Sequence, residues 1–148
     1  MKKFKFNLES VLNYRIVKEE QAKQKLGTAI FKVAQQKKVL GSYRKALAEE
    51  QSNIAAAVDI SFLQHKELYI HCLCQQIEQQ TEQLKQAEKE VNKCKQEVTR
   101  AMQDTKVLDN LKVKRYQEYL LEANKMEQKM LDEIGLIGFS HQQLAKSQ

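Results

Sequence analysis

The residue types that most readily do chemistry cluster at one place, where His71, Cys72 and Cys74 fall within four positions. Imidazole and thiolate groups are common zinc ligands, so a metal site is the first hypothesis to test. On a helix, however, Cys72 and Cys74 point about 200° apart and cannot bind one ion together. His71 and Cys74 can share a face, but two ligands make a weak site. The pattern therefore favours partly buried thiols without a metal, and Cys94 fits a small core residue.

Other catalytic patterns are missing from the sequence. It contains no Gly-rich phosphate loop, no H-E-x-x-H motif and no nucleophile elbow. With 148 residues, no Pro and only 4 Gly, the chain can turn at few points, which argues against barrels, sandwiches and doubly wound sheets. Long helices fit best, and two helices enclose no pocket in which burial could tune a pKa. We expect neither enzymatic activity nor a cofactor.

Charge and hydropathy limit the cellular setting. Lys2, Lys3 and Lys5 precede no apolar segment of the kind found in signal peptides, and the longest uncharged run, Ile134–Ala145, is too short to span a membrane. Three cysteines are an odd number without a disulfide framework, which predicts free thiols in a cytoplasmic protein. The net charge of +6 arises in residues 1–60, which carry 12 basic and 6 acidic residues. This asymmetry indicates an acidic partner surface or nucleic acid facing that half.

Two heptad series are the strongest signal in the chain. Both alternate steps of three and four residues, as the buried positions of a coiled coil do. The first series is Ala22, Leu26, Ala29, Val33, Gln36, Leu40, Tyr43 and Leu47, with Ile54 continuing its seven-residue repeat. The second series is Ile70, Leu73, Ile77, Gln80, Leu84, Ala87, Val91, Cys94, Val98, Ala101, Thr105 and Leu108. The series predict two long helices whose apolar seams face each other.

The segment between the two series predicts a turn. Ala55–Phe62 breaks both repeats, and Ser61 with Gln64 would make a capping box for the second helix. We expect a single domain over 1–148, an all-α antiparallel two-helix coiled-coil hairpin with a longer second helix. Helix one would cover about 4–56, the turn about 57–61, helix two about 62–134 and a tail 135–148, because Gly135 fits a helix C-terminus.

Pairing about this turn leaves the end of the second helix without a partner. If the turn centres near Ile60, residue i faces roughly residue 118 minus i, so Leu8 faces about Asn110. An overhang of about 25 residues would extend roughly 38 Å at the rise of an α-helix. It is rich in apolar side chains, which need a cover. The cover could be the segment Met1–Phe6 folded back, a second copy of the chain, or a dedicated partner.

The two ends of the chain resemble one known family. The opening residues Phe4–Leu12 read FKFNLESVL, and the closing motif Leu121–Glu133 reads LEANKMEQKMLDE. Arg15, Glu19, Glu20, Ala22 and Leu26 follow the opening motif. Together these residues resemble FliJ, a family of flagellar export proteins. The length, the basic charge, the mid-chain turn and the absence of Pro agree with this family along essentially the whole chain.

The resemblance implies a coupling protein without enzymatic activity. FliJ proteins are antiparallel coiled coils similar to the central stalk, or gamma subunit, of rotary ATP synthases. They are implied to bind the hexameric export ATPase, to promote its ring assembly and activity, and to link it to the export gate protein FlhA. Export chaperones are further implied partners, whereas nucleic acid and direct membrane insertion are not. The implied location is cytoplasmic, at the inner face of the membrane beneath the flagellum.

Two sets of site residues follow from the resemblance and from each residue's place along the predicted hairpin. The end with both termini would bind the ATPase through Phe4, Phe6, Leu8, Leu12, Arg15, Glu19, Tyr116, Tyr119, Leu120, Met126, Met130, Asp132 and Glu133. The end near the turn would bind the export gate through Gln36, Leu40, Tyr43, Leu47, Tyr69, Leu73, Gln76 and Gln80. Several members of the second set are also seam residues. Either the seam is partly open there, or those residues act by keeping the helices together.

Three alternative functions remain open from the sequence. The equivalent stalk of a virulence type III secretion system would share every feature above, and genome neighbourhood would separate the two. A nucleic-acid-binding hairpin arm would use the basic face of helix one, although stacking aromatics and Arg clusters are sparse there. A homodimeric scaffold would bury the overhang against a second copy, and light scattering at dilute concentration would reveal its mass.

Overall fold

The chain folds into two long helices. The computed structural model describes residues 3–53 and 59–146, with side chains as far as Gln142. Helix α1 spans Glu9–Ser52 and helix α2 spans Ile60–Lys146, so the second helix has 87 residues against 44 in the first. Contacts between α1 and α2 join residues far apart in the chain, as an antiparallel hairpin requires. The prediction of an all-α two-helix hairpin with a longer second helix is confirmed.

The helix starts have local causes. The Glu9 amide donates a hydrogen bond to the Phe6 carbonyl at 3.2 Å, and α1 begins at Glu9 instead of near residue 4. At the start of α2, the Leu63 amide donates to the Asp59 carbonyl at 3.1 Å. Asp59 is therefore the N-cap, and Ser61 lies inside the helix instead of capping it. Ile54 and the first two residues of the expected turn, 57 and 58, lie outside the described residues.

One compact unit consists of Val17–Met102. Within it, the described members of both heptad series are all buried or half-buried, and Leu40 and Leu73 are the least exposed at 4% and 3%. The remaining buried side chains of this unit are Ala87, Cys94 and Val98. The predicted seams are thus the faces that pack together. Burial of apolar surface along them supplies the main force joining the two helices in this unit.

A second compact unit consists of Met1–Ile16 with Gln103–Gln148. Its buried side chains are Phe6, Leu12 and Ala123. Leu12 continues the first seam backward from Ala22 in the same alternation of three and four residues. Phe6, in contrast, precedes α1 and belongs to no helix. The core of this unit is therefore built partly by a non-helical segment, which heptad spacing does not predict.

Cross-helix pairs report the register inside each unit. Arg15 bonds Asp104, where the pairing rule expected residue 103. The side-chain amide of Gln80 donates a hydrogen bond to that of Gln36, for which the rule expected residue 82. Both pairs fall within two residues of the expectation. Because each helix has a strict heptad repeat, the position of the turn is enough to predict which residues of the two helices face each other.

Helix α2 differs from the expectation at its C-terminal end. It continues through Gly135 and Gly138 to Lys146, so residues 135–146 of the expected tail are helical. Neither glycine has the positive φ of a left-handed helix cap. A glycine inside a helix costs about 1 kcal/mol relative to alanine, and it ends a helix when it adopts the left-handed cap conformation, which neither glycine does.

Candidate partner-binding surfaces

The N-terminal strap, residues 3–8, packs against α2 through aromatic side chains. The ring of Phe4 lies edge-on to Tyr116 with centroids 5.2 Å apart, and it lies tilted against Tyr119 at 5.5 Å. The two tyrosines stack on each other at 6.3 Å, and Phe6 is buried. Aromatic pairs at such distances contribute about 0.5–1.5 kcal/mol beyond their buried area. The described part of the Met1–Phe6 segment thus covers the first part of the expected overhang.

Two ion pairs fix the start of α1 beside α2. The Lys112 Nζ atom lies 2.8 Å from the Glu9 carboxylate, and the Arg15 guanidinium lies 2.9 Å from the Asp104 carboxylate. All four side chains are partly exposed, so each pair contributes about 0–1 kcal/mol. Glu9 also lies in the first turn of α1, where a carboxylate interacts favourably with the helix dipole. These pairs orient the two helices more than they stabilise them.

Beyond Ala123, α2 has no cover among the described residues. Every side chain from Asn124 to Gln142 is exposed, and this stretch is named the uncovered helix. Its large apolar side chains are from 57% to 69% exposed. They are Met126, Met130, Leu131, Ile134, Leu136, Ile137 and Phe139. So many apolar groups on one exposed helix mark a surface for a partner.

The apolar side chains of the uncovered helix point in several directions. At about 100° per residue, Met130, Ile134 and Ile137 follow buried Ala123 along one face of α2. Phe139 lies on the opposite face, and no charged residue occurs between Ile134 and Gln142. A helix that is apolar all round is typically enclosed by other structure, whereas a one-sided stripe is covered by one neighbour.

The structure separates the residues predicted for the terminal end into four groups. Phe6 and Leu12 are buried, while Phe4, Tyr116, Tyr119, Arg15 and Glu19 contact other side chains of the protein. Leu8 and Leu120 are exposed. Met126, Met130, Asp132 and Glu133 lie on the uncovered helix. Sequence reasoning missed Leu136, Ile137 and Phe139 because it ended the helix at Gly135, although the uncharged run after Ile134 was the available signal.

Glu19 occupies a seam position but bonds a lysine of its own helix. The Lys23 Nζ atom lies 2.6 Å from the Glu19 carboxylate, one helical turn away. The hydrogen bond to Glu19, and then the negative charge of Glu19, raise the pKa of Lys23 above its ordinary value of 10.5. Lys23 therefore keeps its positive charge to a higher pH than an isolated lysine does.

Most residues predicted for the gate-binding end lie in the seam. Leu40 and Leu73 are buried, and Gln36, Tyr43, Leu47 and Gln80 are half-buried. Gln36 and Gln80 are bonded to each other across the seam. Tyr69 and Gln76 are the two members of this set that are exposed. The structure thus leaves two of the eight side chains open to a partner.

Other exposed apolar side chains lie near the start of α2, on the same helix as Tyr69. Ile60, Phe62 and Leu68 are at least half exposed. Beside them, a shallow groove on α2 is lined by Gln64, Glu67, Leu68, Ile70, His71 and Cys74. Sequence reasoning missed Ile60, Phe62 and Leu68, because they fall outside the heptad series and an isolated exposed apolar residue carries no specific signal.

Lys66 is a further residue that sequence reasoning missed. Its ammonium donates a hydrogen bond to the Asn53 carbonyl at 3.2 Å, lies 3.6 Å from the Glu50 carboxylate and sits 5.2 Å from the centre of the Phe62 ring. The side chain is only 14% exposed. The last turn of α1 has no basic residue of its own. Lys66 of α2 therefore supplies the positive charge that stabilises the C-terminus of α1.

The metal hypothesis concerns His71, Cys72 and Cys74 near the start of α2. Among the described residues, no three His, Cys, Asp or Glu side chains converge as a metal ion requires. Cys72 and Cys74 are exposed free thiols, and Cys94 is a buried one.

None of the described helical stretches is long and apolar enough to cross a bilayer.

Comparison with known proteins gives one match. No curated protein and no solved structure matches the chain significantly. The family model described as flagellar FliJ protein matches residues 4–144, which is nearly the whole chain. This range includes residues 4–8 of the strap, both seams and the whole of the uncovered helix. The chain therefore belongs to the FliJ family of flagellar proteins, whose members are components of flagellar protein export.

Proposed function

We propose that this protein is a non-enzymatic stalk that binds the hexameric flagellar export ATPase and links it to the export gate protein FlhA. The observation that carries the proposal is the uncovered helix, whose apolar side chains have no cover among the described residues. Family membership supports a role in flagellar export. The binding of particular partners is the part that we propose.

The chemistry of the uncovered helix suits the interior of a ring. Met130 and Ile134 extend the face of α2 that is buried at Ala123, whereas Phe139 points the opposite way. A partner that lies along one side would leave Phe139 in water. A ring of subunits surrounds an inserted helix and can bury all of these side chains together.

Insertion of this end into a six-fold ring gives a mechanism for promoting assembly and activity. A single helix, or a helix with a neighbour, has no six-fold symmetry, so it contacts the ATPase subunits unequally. Unequal contacts favour different nucleotide states in different subunits, and they stabilise the closed ring over separate subunits by mass action. The free energy for export comes from ATP bound to the ATPase and not from this protein.

Near the start of α2 we propose that the exposed surface around Tyr69 and Gln76 contacts the export gate. The other predicted gate residues support this surface from within, because Leu40, Leu73 and the bonded pair Gln36 and Gln80 pack the seam beneath it. Substituting them would disturb gate binding indirectly. Export chaperones are proposed as further partners, with the protein acting in the cytoplasm at the inner face of the membrane.

The test of ATPase binding is ATP turnover by the cognate export ATPase, with and without the full chain. We expect stimulation by the full chain and its loss on deletion of residues 124–148, which keeps the strap and both seams. The double variant Met130→Glu with Ile134→Glu should lose stimulation as well. Val107→Glu is the matched control, since Val107 is equally exposed on α2 but lies before Ala123.

The outcomes of this experiment separate the proposal from its rivals. If the full chain does not stimulate turnover, the stalk proposal is wrong. If the deletion stimulates as well as the full chain, ring contact lies elsewhere and the uncovered helix has another partner. Circular dichroism of each variant shows that a lost effect is not lost folding.

A further inference from the structure

The outward side of α1 has an unusual surface between Glu20 and Lys38. The Phe31 face consists of six exposed residues that point away from α2: Gln24, Gly27, Thr28, Phe31, Ala34 and Gln35. None of them is charged, although 30% of the chain is. The outer side of a two-helix coiled coil normally carries charged side chains, because water covers it. An uncharged outer side indicates a second packing face on α1.

The shape of the Phe31 face, a projecting ring between two small residues, is suited to packing against another helix. The Phe31 side chain is 63% exposed and stands as a knob. Gly27 and Ala34, one turn before and one turn after it, leave space on either side, and a Cβ atom added at Gly27 would meet nothing within 4 Å. Small residues beside a projecting aromatic allow ridges of a second helix to pack into grooves at an axial distance of about 8–10 Å.

The charges that border the Phe31 face define the occupant further. Lys25 and Lys32 lie on one edge, roughly 110° around the helix from Phe31, Lys38 closes the C-terminal end, and Glu20 closes the N-terminal end. All three lysines are exposed, and none forms an ion pair within the described part of the chain. Lys37, on the other edge, bonds Glu88 of α2. An apolar centre with unpaired cations at its border is complementary to an apolar stripe flanked by carboxylates.

We propose that the Phe31 face binds an amphipathic helix of a partner protein, whose apolar stripe packs on Phe31 and whose flanking acidic residues pair with Lys25, Lys32 and Lys38. The Phe31 face of a second copy does not fit, because two such faces would bring the same lysines against each other. Nucleic acid does not fit either, since a phosphate backbone needs cations at the centre of its site, where this face has none. This inference does not use the proposed binding of the ATPase or the gate.

The test places a photo-crosslinking residue at the centre of the face in the full-length protein. Phe31 is replaced by p-benzoylphenylalanine in native cells, and crosslinked peptides are sequenced by mass spectrometry. The same residue at Lys89, on the outer side of α2, is the matched control. We expect several-fold more crosslinking at position 31, to a segment with apolar residues at spacings of three and four and with net negative charge.

A charge reversal then tests the border. Lys25→Glu with Lys32→Glu should lower crosslinking at position 31 by at least about fivefold, since like charges would meet across the interface. Lys85→Glu with Lys89→Glu, on α2, should leave it unchanged. Crosslinking no stronger than at position 89, a crosslinked segment that is not acidic and amphipathic, a nuclease-sensitive product, or a product with this chain itself would each overturn the proposal.

Discussion

Lys66 gives the sharpest test of how the two helices are joined near the start of α2. The perturbation is Lys66→Met, which keeps the aliphatic stem and removes the ammonium. Three interactions are lost together: the hydrogen bond to the Asn53 carbonyl at 3.2 Å, the ion pair with Glu50 at 3.6 Å and the contact with the Phe62 ring. Because the side chain is largely shielded from water, their effect is larger than that of a surface lysine.

The expected magnitude follows from these distances. A rather long charged hydrogen bond at a helix C-terminus contributes about 1 kcal/mol. The partly buried ion pair and the cation–π contact contribute about 0.5 kcal/mol each. The free energy of unfolding should therefore fall by about 2 kcal/mol, which corresponds to a drop in Tm of about 4–8 °C for a chain of this size.

Two measurements report this loss. Urea unfolding followed by circular dichroism gives the global change in free energy. Amide hydrogen exchange gives the local one, and a loss of 2 kcal/mol should speed exchange in the last turn of α1, Glu49–Ser52, by about thirtyfold. The control is Lys93→Met, because Lys93 is 73% exposed and its ion pair with Glu90 is 3.9 Å long. We expect Lys93→Met to cost less than about 0.5 kcal/mol. Equal effects of the two substitutions would refute the assignment of Lys66 as the cap of α1.

Three further predictions concern single features of the helices. Gln36→Leu alone or Gln80→Leu alone should lower the free energy of unfolding in urea by about 1–2 kcal/mol, because each leaves one amide unpaired. The double substitution should recover this loss. A double variant that is no more stable than the single variants would contradict the pairing. Gly135→Ala should stabilise α2 by about 1 kcal/mol, seen as slower amide exchange around residue 135, because no atom lies near the added Cβ; destabilisation would mean that Gly135 ends the helix. Glu19→Gln should lower the pKa of Lys23 in an NMR titration, because the bond to Glu19 raises it. The stabilisation that comes from the raised pKa of Lys23 is complete below pH 10.5 and is lost as pH rises through the raised pKa. An unchanged pKa in the variant would argue against the bond.

Residue spacing along the chain is enough to predict the two helices, their facing seams and their approximate register. Leu40 and Leu73 were predicted to be buried from spacing alone, and they are among the most buried residues of the protein. This succeeded because helix formation and heptad packing are periodic, so each turn repeats the same information. The expected turn position places Arg15 opposite residue 103, one residue from Asp104, to which it is bonded.

Contacts that do not follow the heptad repeat are visible only in the folded structure. Phe4 precedes α1, and only the fold shows that its ring packs on Tyr116 and Tyr119. Lys66 lies four residues before Ile70 and thus on a seam position, where the heptad repeat predicts an apolar residue. Only the fold shows that the Asn53 carbonyl and the Glu50 carboxylate, near the end of α1, bind its ammonium. Both depend on contacts between segments far apart in the chain. Such contacts follow from the whole fold, whereas helical periodicity is written within a few neighbouring residues.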